Sequence, residues 1–227
     1  MIALPILSAA VSTVFGVHLL LRFLRRGAVF EGVWALALLM YAAASAALAA
    51  GVAGAWAPAE FRIYWLFGAV LNVPYLAQGE IYLLVRNRKV AHALMAVVLL
   101  GTIWATAEIR TAPLNGGVLA TEEFFSGRKV LGVESAGVSL ARLYSLPAYG
   151  VLVAGVLWSA WKMRGRRELA SRFRGTLLIL LGATIVAVGS VFARSGNFAG
   201  FSGTLAGGVA VMYGGFLTAT RPPPNGP

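Results

Sequence analysis

Seven long apolar segments constrain this chain more than any other feature of its sequence. They cover roughly residues 2–23, 29–53, 61–85, 90–109, 142–162, 175–194 and 199–220. Each has about the twenty residues that a helix needs to cross about 30 Å of hydrocarbon at about 1.5 Å per residue. In lipid only helices and closed barrels satisfy the backbone, and these segments lack the alternation of barrel strands. The sequence therefore predicts an all-α integral membrane protein, a seven-transmembrane-helix bundle forming one domain over residues 1–227.

Composition supports the membrane class and narrows the chemistry. The chain is 59% hydrophobic and 12% charged, with a mean hydropathy of +0.79, which is more apolar surface than a soluble domain buries. Its net charge of +11 lies in short clusters between apolar segments, so we expect a lipid bilayer as partner and no nucleic acid. The sequence contains neither cysteine nor aspartate. Disulfides, thiolate metal sites and aspartyl dyads are therefore excluded.

The distribution of basic residues predicts the orientation of the helices. Thirteen of the 19 lysines and arginines follow segments 1, 3 and 5 or lie in the tail 221–227. The positive-inside rule then places the N-terminus outside and the C-terminus in the cytoplasm, in a bacterial-type cytoplasmic (inner) membrane. The long connection 110–141 falls on the outer side. It is either a loosely ordered hairpin or a functional lid.

The third segment carries an unusual set of polar residues at membrane depth. Polar groups there are costly and usually face a bundle interior or a wet cavity. On a helical wheel one sector of roughly 100° holds six residues of this segment: Trp65, Gly68, Asn72, Tyr75, Gly79 and Tyr82. Pro74 should kink the helix and free the carbonyl group of Val70.

These residues predict a small-ligand site, with a structural alternative. The candidate ligand-binding residues are Tyr41 of segment 2 and Trp65, Asn72, Tyr75, Gln78 and Glu80 of segment 3. The alternative is that the polar groups form hydrogen bonds between helices and that the proline is only a structural kink.

Glu80 is a separate candidate because it points to a different side of the third segment. A carboxylate inside a membrane is a functional-site hypothesis by default. We expect it either to hold a proton or cation or to pair with an arginine near the inner boundary, such as Arg22.

Glycines recur every seven residues in the last two segments and predict a tight helix pair. The candidate packing residues are Gly182 and Gly189 in segment 6 and Gly200, Gly207 and Gly214 in segment 7. Small residues let helix backbones approach closely in lipid. The alternative is that the glycines line a path or admit a planar ligand.

No cofactor or metal is expected. His18 and His92 offer imidazoles on two helices that would suit a b-type haem, but a lone pair of histidines is usually a packing feature. Arg62, Trp65-Leu-Phe67 and Pro74 in segment 3 resemble the third helix of microbial rhodopsins. Segment 7 contains no lysine, so a retinal Schiff base is excluded. The resemblance is therefore one of topology.

A weak internal repeat leads to the functional hypotheses. Leu4-Pro5 and Leu146-Pro147 lie early in segments 1 and 5, and basic pairs Arg25-Arg26 and Arg166-Arg167 follow. This indicates a possible 3+1+3 parallel repeat, similar in architecture to SWEET-class transporters. The leading hypothesis is a bundle that binds a small molecule or ion, as a transporter or ligand sensor. A non-catalytic subunit with a membrane partner or in a homo-oligomer is the second, and an intramembrane lipid enzyme the third, since no classical catalytic grouping is present.

Overall fold

The computed structural model describes residues 2–54, 56–165 and 169–220, and those residues are helical or in short connections, without a β-strand. The predicted tail 221–227 and the basic pair Arg166-Arg167 lie outside the described residues. The helices are α1 (Ala3–Arg26), α2 (Val29–Ala53), α3 (Pro58–Ile63), α4 (Asn72–Leu84), α5 (Arg88–Thr111), α6 (Gly116–Thr121), α7 (Gly127–Leu131), α8 (Ala136–Met163), α9 (Ala170–Arg194) and α10 (Phe198–Ala219).

Six of these helices, α1, α2, α5, α8, α9 and α10, are long and apolar enough to cross a membrane. The chain is therefore an all-α polytopic membrane protein. The third apolar segment is also helical, but in three joined pieces: α3, a π-helical stretch Tyr64–Leu71 and α4 run without a break from Pro58 to Leu84.

Short local signals set the helix ends. Gly27 ends α1 with a left-handed backbone (φ 66°), and its N–H donates to the Phe23 carbonyl. The side chain of Asn87 accepts from the N–H of Lys89 at the start of α5, and Asn197 caps α10 in the same way. Pro58 occupies the first position of α3, where its missing N–H costs nothing.

The long helices form a ring. In order around it, α1 packs on α2, α2 on α4, α4 on α8, α8 on α9, α9 on α10, and α10 again on α1. Large side chains fill the middle, and Tyr41 of α2 reaches across to donate its hydroxyl to the Leu205 carbonyl of α10 at 3.2 Å. A buried apolar cluster drawn from the ring helices surrounds this contact.

Helix α5 lies outside the ring, against α4, α8 and the π-helical stretch. A second buried cluster attaches it, with Ala105 and Ile109 packed against residues such as Tyr75 and Leu140. The rest of α5 is open: Leu100 and Ile103 are each 68% exposed. Such a surface is suited to contact with lipid chains.

The connection 110–141 is folded over the end of the ring that the sequence predicts to lie outside, and we call residues 112–135 the outer cap. It contains α6 and α7, and its Phe125 and Val130 are buried. The indole N–H of Trp56 donates to the Glu123 carbonyl at 3.0 Å, which ties the cap to the end of α2. The sequence assigned residues 136–141 to the loop, but they belong to α8. This helix begins at Ala136 because the Ser135 side chain caps it by accepting from the Val138 N–H.

Candidate functional site

The polar face of the third segment is buried and engaged with neighbouring helices. Asn72 donates its side-chain amide to the Ala37 carbonyl of α2 at 2.8 Å, and Gln78 donates to the Ala91 carbonyl of α5 at 2.8 Å. The Tyr75 hydroxyl lies 3.1 Å from that of Thr102. Each of these hydrogen bonds joins two helices.

Two further candidates from the sequence are engaged in the same way. The indole N–H of Trp65 donates to the Gly137 carbonyl at 3.0 Å, and its ring lies against Gly127 of the outer cap. The Tyr41 hydroxyl donates a hydrogen bond to the Leu205 carbonyl. Asn72, Tyr75 and Gln78 thus lie on α4. Trp65 and Tyr41 make separate contacts elsewhere in the bundle.

The proline bend of the third segment takes a form that the sequence does not reveal. A π-helical stretch ends three residues before Pro74, which lies in α4. Pro74 has no N–H to offer either the Val70 carbonyl four positions earlier or the Ala69 carbonyl five positions earlier. The Ser145 hydroxyl of α8 donates to the Ala69 carbonyl at 2.7 Å instead.

Glu80 differs from the other candidates. It is 4% exposed and lies against α8, where a Cβ atom added to Gly155 would sit 2.5 Å from its Cγ atom. The polar side chain that faces its carboxylate is Ser159, one turn further along α8. Among the described residues no lysine, arginine or histidine forms an ion pair with it.

Arg22, the partner that the sequence offered for Glu80, is paired with Glu31 instead. Its guanidinium group lies 2.7 Å from the Glu31 carboxylate and stands over the ring of Phe216 at 5.1 Å. This contact joins α1, α2 and α10 near their basic ends. Glu31 is 2% exposed, and one of its oxygens has no hydrogen-bond partner among the described residues.

Sequence reasoning missed Glu31 because it stands three residues inside a segment, where a carboxylate is expected at the membrane surface. The available signal was its position just after the Arg22 and Arg25-Arg26 cluster, across a turn containing Gly27. Helices joined by so short a turn are antiparallel neighbours.

The two histidines serve different parts of the molecule. His18 of α1 packs against Tyr213 and Phe216 of α10, whereas His92 of α5 lies 2.9 Å from the Tyr82 hydroxyl of α4. The described residues contain no group of three or more His, Cys, Asp or Glu side chains placed to hold a metal ion.

The glycines divide into two sets. Gly182 of α9 faces Gly208 and Met212 of α10, and Gly189 faces Thr204. Gly200 lies against the ring of Phe192. Gly207 and Gly214 have open space where a side chain would stand, so the contact on α10 runs along Gly208 and Gly215 instead.

The outer cap carries a positive rim. Partial burial and then the neighbouring charges of Arg142 and Arg194 lower the pKa of the Arg128 guanidinium. Arg62 donates to the Ala112 carbonyl at 3.2 Å, while its buried Nε atom has no acceptor among the described residues.

No known protein family, curated protein or solved structure matches this chain. Of the sequence-predicted candidates, Glu80 is the one whose charge the described residues leave without an opposite charge.

Proposed function

We propose that the protein has seven membrane-spanning helices, with the N-terminus outside and the C-terminus in the cytoplasm of a bacterial inner membrane. The seventh span would be the continuous helical run from Pro58 to Leu84, which is as long as the spans beside it. The excess of lysine and arginine at one end of the bundle supports the orientation. The ring order, with α1–α4 and α8–α10 as two sequential triplets around it, supports the 3+1+3 arrangement.

We infer that the bundle binds a proton or a small cation at Glu80 and acts as a transporter or a ligand sensor. The observation that carries this is the contrast between two buried carboxylates. Glu31 has Arg22 at 2.7 Å, whereas among the described residues only the hydroxyl of Ser159 faces the Glu80 carboxylate. A charge at membrane depth without a counter-charge is costly, so Glu80 is stable as a neutral acid or beside a bound cation.

The surroundings of Glu80 suit exchange of such an ion. Gly155 allows the carboxylate to lie directly on the α8 backbone, and Leu84 closes the other side of the same contact. Helix α4 ends at Leu84, and the exposed Arg86 and Lys89 follow within five residues, so the site is close to the basic end of the bundle. An ion would therefore have a short path from that side.

Flux measurements in proteoliposomes separate transport from sensing. An imposed proton or Na⁺ gradient should drive flux in the wild-type protein and not in Glu80→Gln. Glu108→Gln, which changes a partly exposed carboxylate of α5, is the matched control and should retain the wild-type rate. A wild-type rate equal to that of empty liposomes would exclude transport of these ions and favour the role of a ligand sensor.

A non-catalytic subunit of a membrane complex is the second candidate. It is favoured by the hydrogen bonds of Asn72, Tyr75 and Gln78, which give these polar groups a role in holding helices together. Native mass spectrometry on gently extracted protein would reveal a stoichiometric partner protein. The sensor would instead be accompanied by a bound ion or small molecule.

A further inference from the structure

An apolar crevice opens on the lipid-facing side of the bundle, between α4, α5 and α8. Its volume is about 300 Å³, and its walls include Pro74 and Ile81 of α4, Leu94 and Val98 of α5, and Ala148 of α8. Leu94 is 40% exposed. The crevice is therefore open to the hydrocarbon of a membrane.

Two polar side chains, Gln78 and Tyr144, lie in the crevice wall, and each donates a hydrogen bond to a backbone carbonyl. Gln78 donates to the Ala91 carbonyl at 2.8 Å, and the Tyr144 hydroxyl donates to the Gly101 carbonyl at 3.2 Å. With these groups engaged, the crevice offers a ligand almost only carbon. A hydrocarbon chain fits this chemistry.

The crevice leads toward a cluster of positive charge at the basic end of the bundle. On the α4–α5 side, the exposed Arg86 lies in the connection after α4, and the exposed Lys89 lies in the first turn of α5. On the α8 side, Lys162 folds over the ring of Trp158 at 4.8 Å. Trp158 stands seven residues after Val151 of the crevice wall, so both lie on the same face of α8.

These two groups of cations lie at the same level of the membrane. Gly155 of α8 contacts Glu80 and Leu84 at the end of α4. Trp158 lies less than one turn beyond Gly155, so it is level with the start of the connection that follows α4. A half-exposed tryptophan beside a lysine is typical of the depth of lipid headgroups.

We propose that the crevice is a binding site for one anionic phospholipid. An acyl chain fills the space between α4, α5 and α8, and the phosphate lies between Arg86 and Lys89 on one side and Lys162 on the other. Charge complementarity selects an anionic headgroup, because each basic residue at this depth attracts acidic lipids. The site is separate from Glu80, which is not part of the crevice wall.

The test is native mass spectrometry after reconstitution into nanodiscs with equal amounts of phosphatidylglycerol and phosphatidylcholine. The wild-type protein should retain one phosphatidylglycerol molecule in preference to phosphatidylcholine. Removing Arg86 and Lys89 together (R86Q/K89Q) should lower that preference by about fivefold for each basic residue, the equivalent of about 1 kcal/mol each. The control R25Q/R26Q removes the same charge from the end of α1 and should retain the preference.

A second pair of variants tests the acyl-chain site. Ala148→Phe fills the crevice and should abolish retention of the lipid, whereas Ala96→Phe, at an exposed position of α5 outside the crevice wall, should not. Equal losses in R86Q/K89Q and R25Q/R26Q would reduce the effect to general surface charge and overturn the proposal. Unchanged retention in Ala148→Phe would overturn it as well.

Discussion

At the scale of single residues, the molecule handles its two buried carboxylates differently. Glu31 is fixed by Arg22, which also stands over Phe216, so one ion pair joins three helices. Breaking a buried pair by removing one partner is strongly destabilising, because the remaining charge stays buried. Glu80 has no such partner among the described residues, and its removal should have a different effect.

We therefore expect Glu31→Gln to lower the stability of the protein and Glu80→Gln not to lower it. Glu31→Gln should lower the free energy of unfolding by about 2 kcal/mol, less than for a fully buried pair because Arg22 keeps 21% of its side chain exposed. Glu80→Gln should leave stability unchanged or raise it, since a neutral amide needs no counter-charge. Thermal unfolding of the two variants in the same detergent measures this, and a larger loss in Glu80→Gln would contradict it.

Sequence alone identified Asn72, Gln78 and Glu80 among the buried polar residues but not their partners. Asn72 and Gln78 stand out because amides are rare at membrane depth. Their acceptors, the carbonyls of Ala37 and Ala91, carry no signal in the sequence because every residue has a backbone carbonyl. The pairing of Arg22 with Glu31 rather than Glu80 likewise depends on which helices are neighbours.

At the scale of elements, the Ser145 hydroxyl and the Trp65 indole join the π-helical stretch before Pro74 to α8. Ser145 donates to the Ala69 carbonyl, which the proline cannot serve. Ser145→Ala should therefore cost about 1 kcal/mol by leaving a part-buried acceptor unpaired. Ser139→Ala, an exposed serine on the same helix, should cost little.

A double-mutant cycle with Pro74→Ala tests the cause of that loss. Alanine at position 74 restores a backbone N–H. If the proline is the reason for the serine, that N–H donates to the Ala69 carbonyl and Ser145→Ala should be less destabilising in that background. The measured quantity is the coupling free energy from the thermal unfolding of the four proteins. Equal losses in both backgrounds would show that the proline is not the reason for the serine.

The packing of α9 on α10 gives a second prediction at this scale. A Cβ atom on Gly208 would lie 2.5 Å from Val186 Cγ2 and 2.7 Å from the Gly182 carbonyl oxygen, whereas one on Gly207 would meet nothing within 4 Å. Gly208→Leu should lower stability by about 1–3 kcal/mol or more, and Gly207→Leu should not. Similar unfolding temperatures for the two variants would refute this assignment of the packing face.

The sequence predicts that these helices associate but does not choose the face. Gly200, Gly207 and Gly214 repeat every seven residues, and so do Gly208 and Gly215 one position further on. Two adjacent glycine rows are equally good candidates until the partner helix is placed. The structure puts Gly182 of α9 against the second row.

At the scale of the whole molecule, composition and segment length give the membrane class and the all-helical fold, but not the arrangement. The six apolar helices follow from twenty-residue segments that only a bilayer accommodates. The ring order and the outer position of α5 depend on which apolar faces match, and apolar segments in lipid share too similar a composition to show it. The folded outer cap was left open by the sequence, because its buried residues Phe125 and Val130 are too few to form a periodic pattern.

The positions of the ring and the cap determine from which side an ion could reach Glu80. The cap, held by Trp56 and Trp65, covers one end of the ring, while Glu80 lies close to the opposite, basic end. An ion bound at Glu80 would thus exchange with the basic side in the conformation described. Access from the other side would require the cap to move.

Infrared difference spectroscopy of the purified protein in liposomes tests the central claim most directly. Stepping the pH, and exchanging Na⁺ for choline, should produce a change in the C=O band of a protonated carboxylic acid. This band should be present in the wild type and in Glu108→Gln and absent in Glu80→Gln. A response to pH alone identifies a proton site and a response to Na⁺ a cation site, whereas a wild-type spectrum that persists in Glu80→Gln would contradict the assignment of Glu80 as the ion-binding residue.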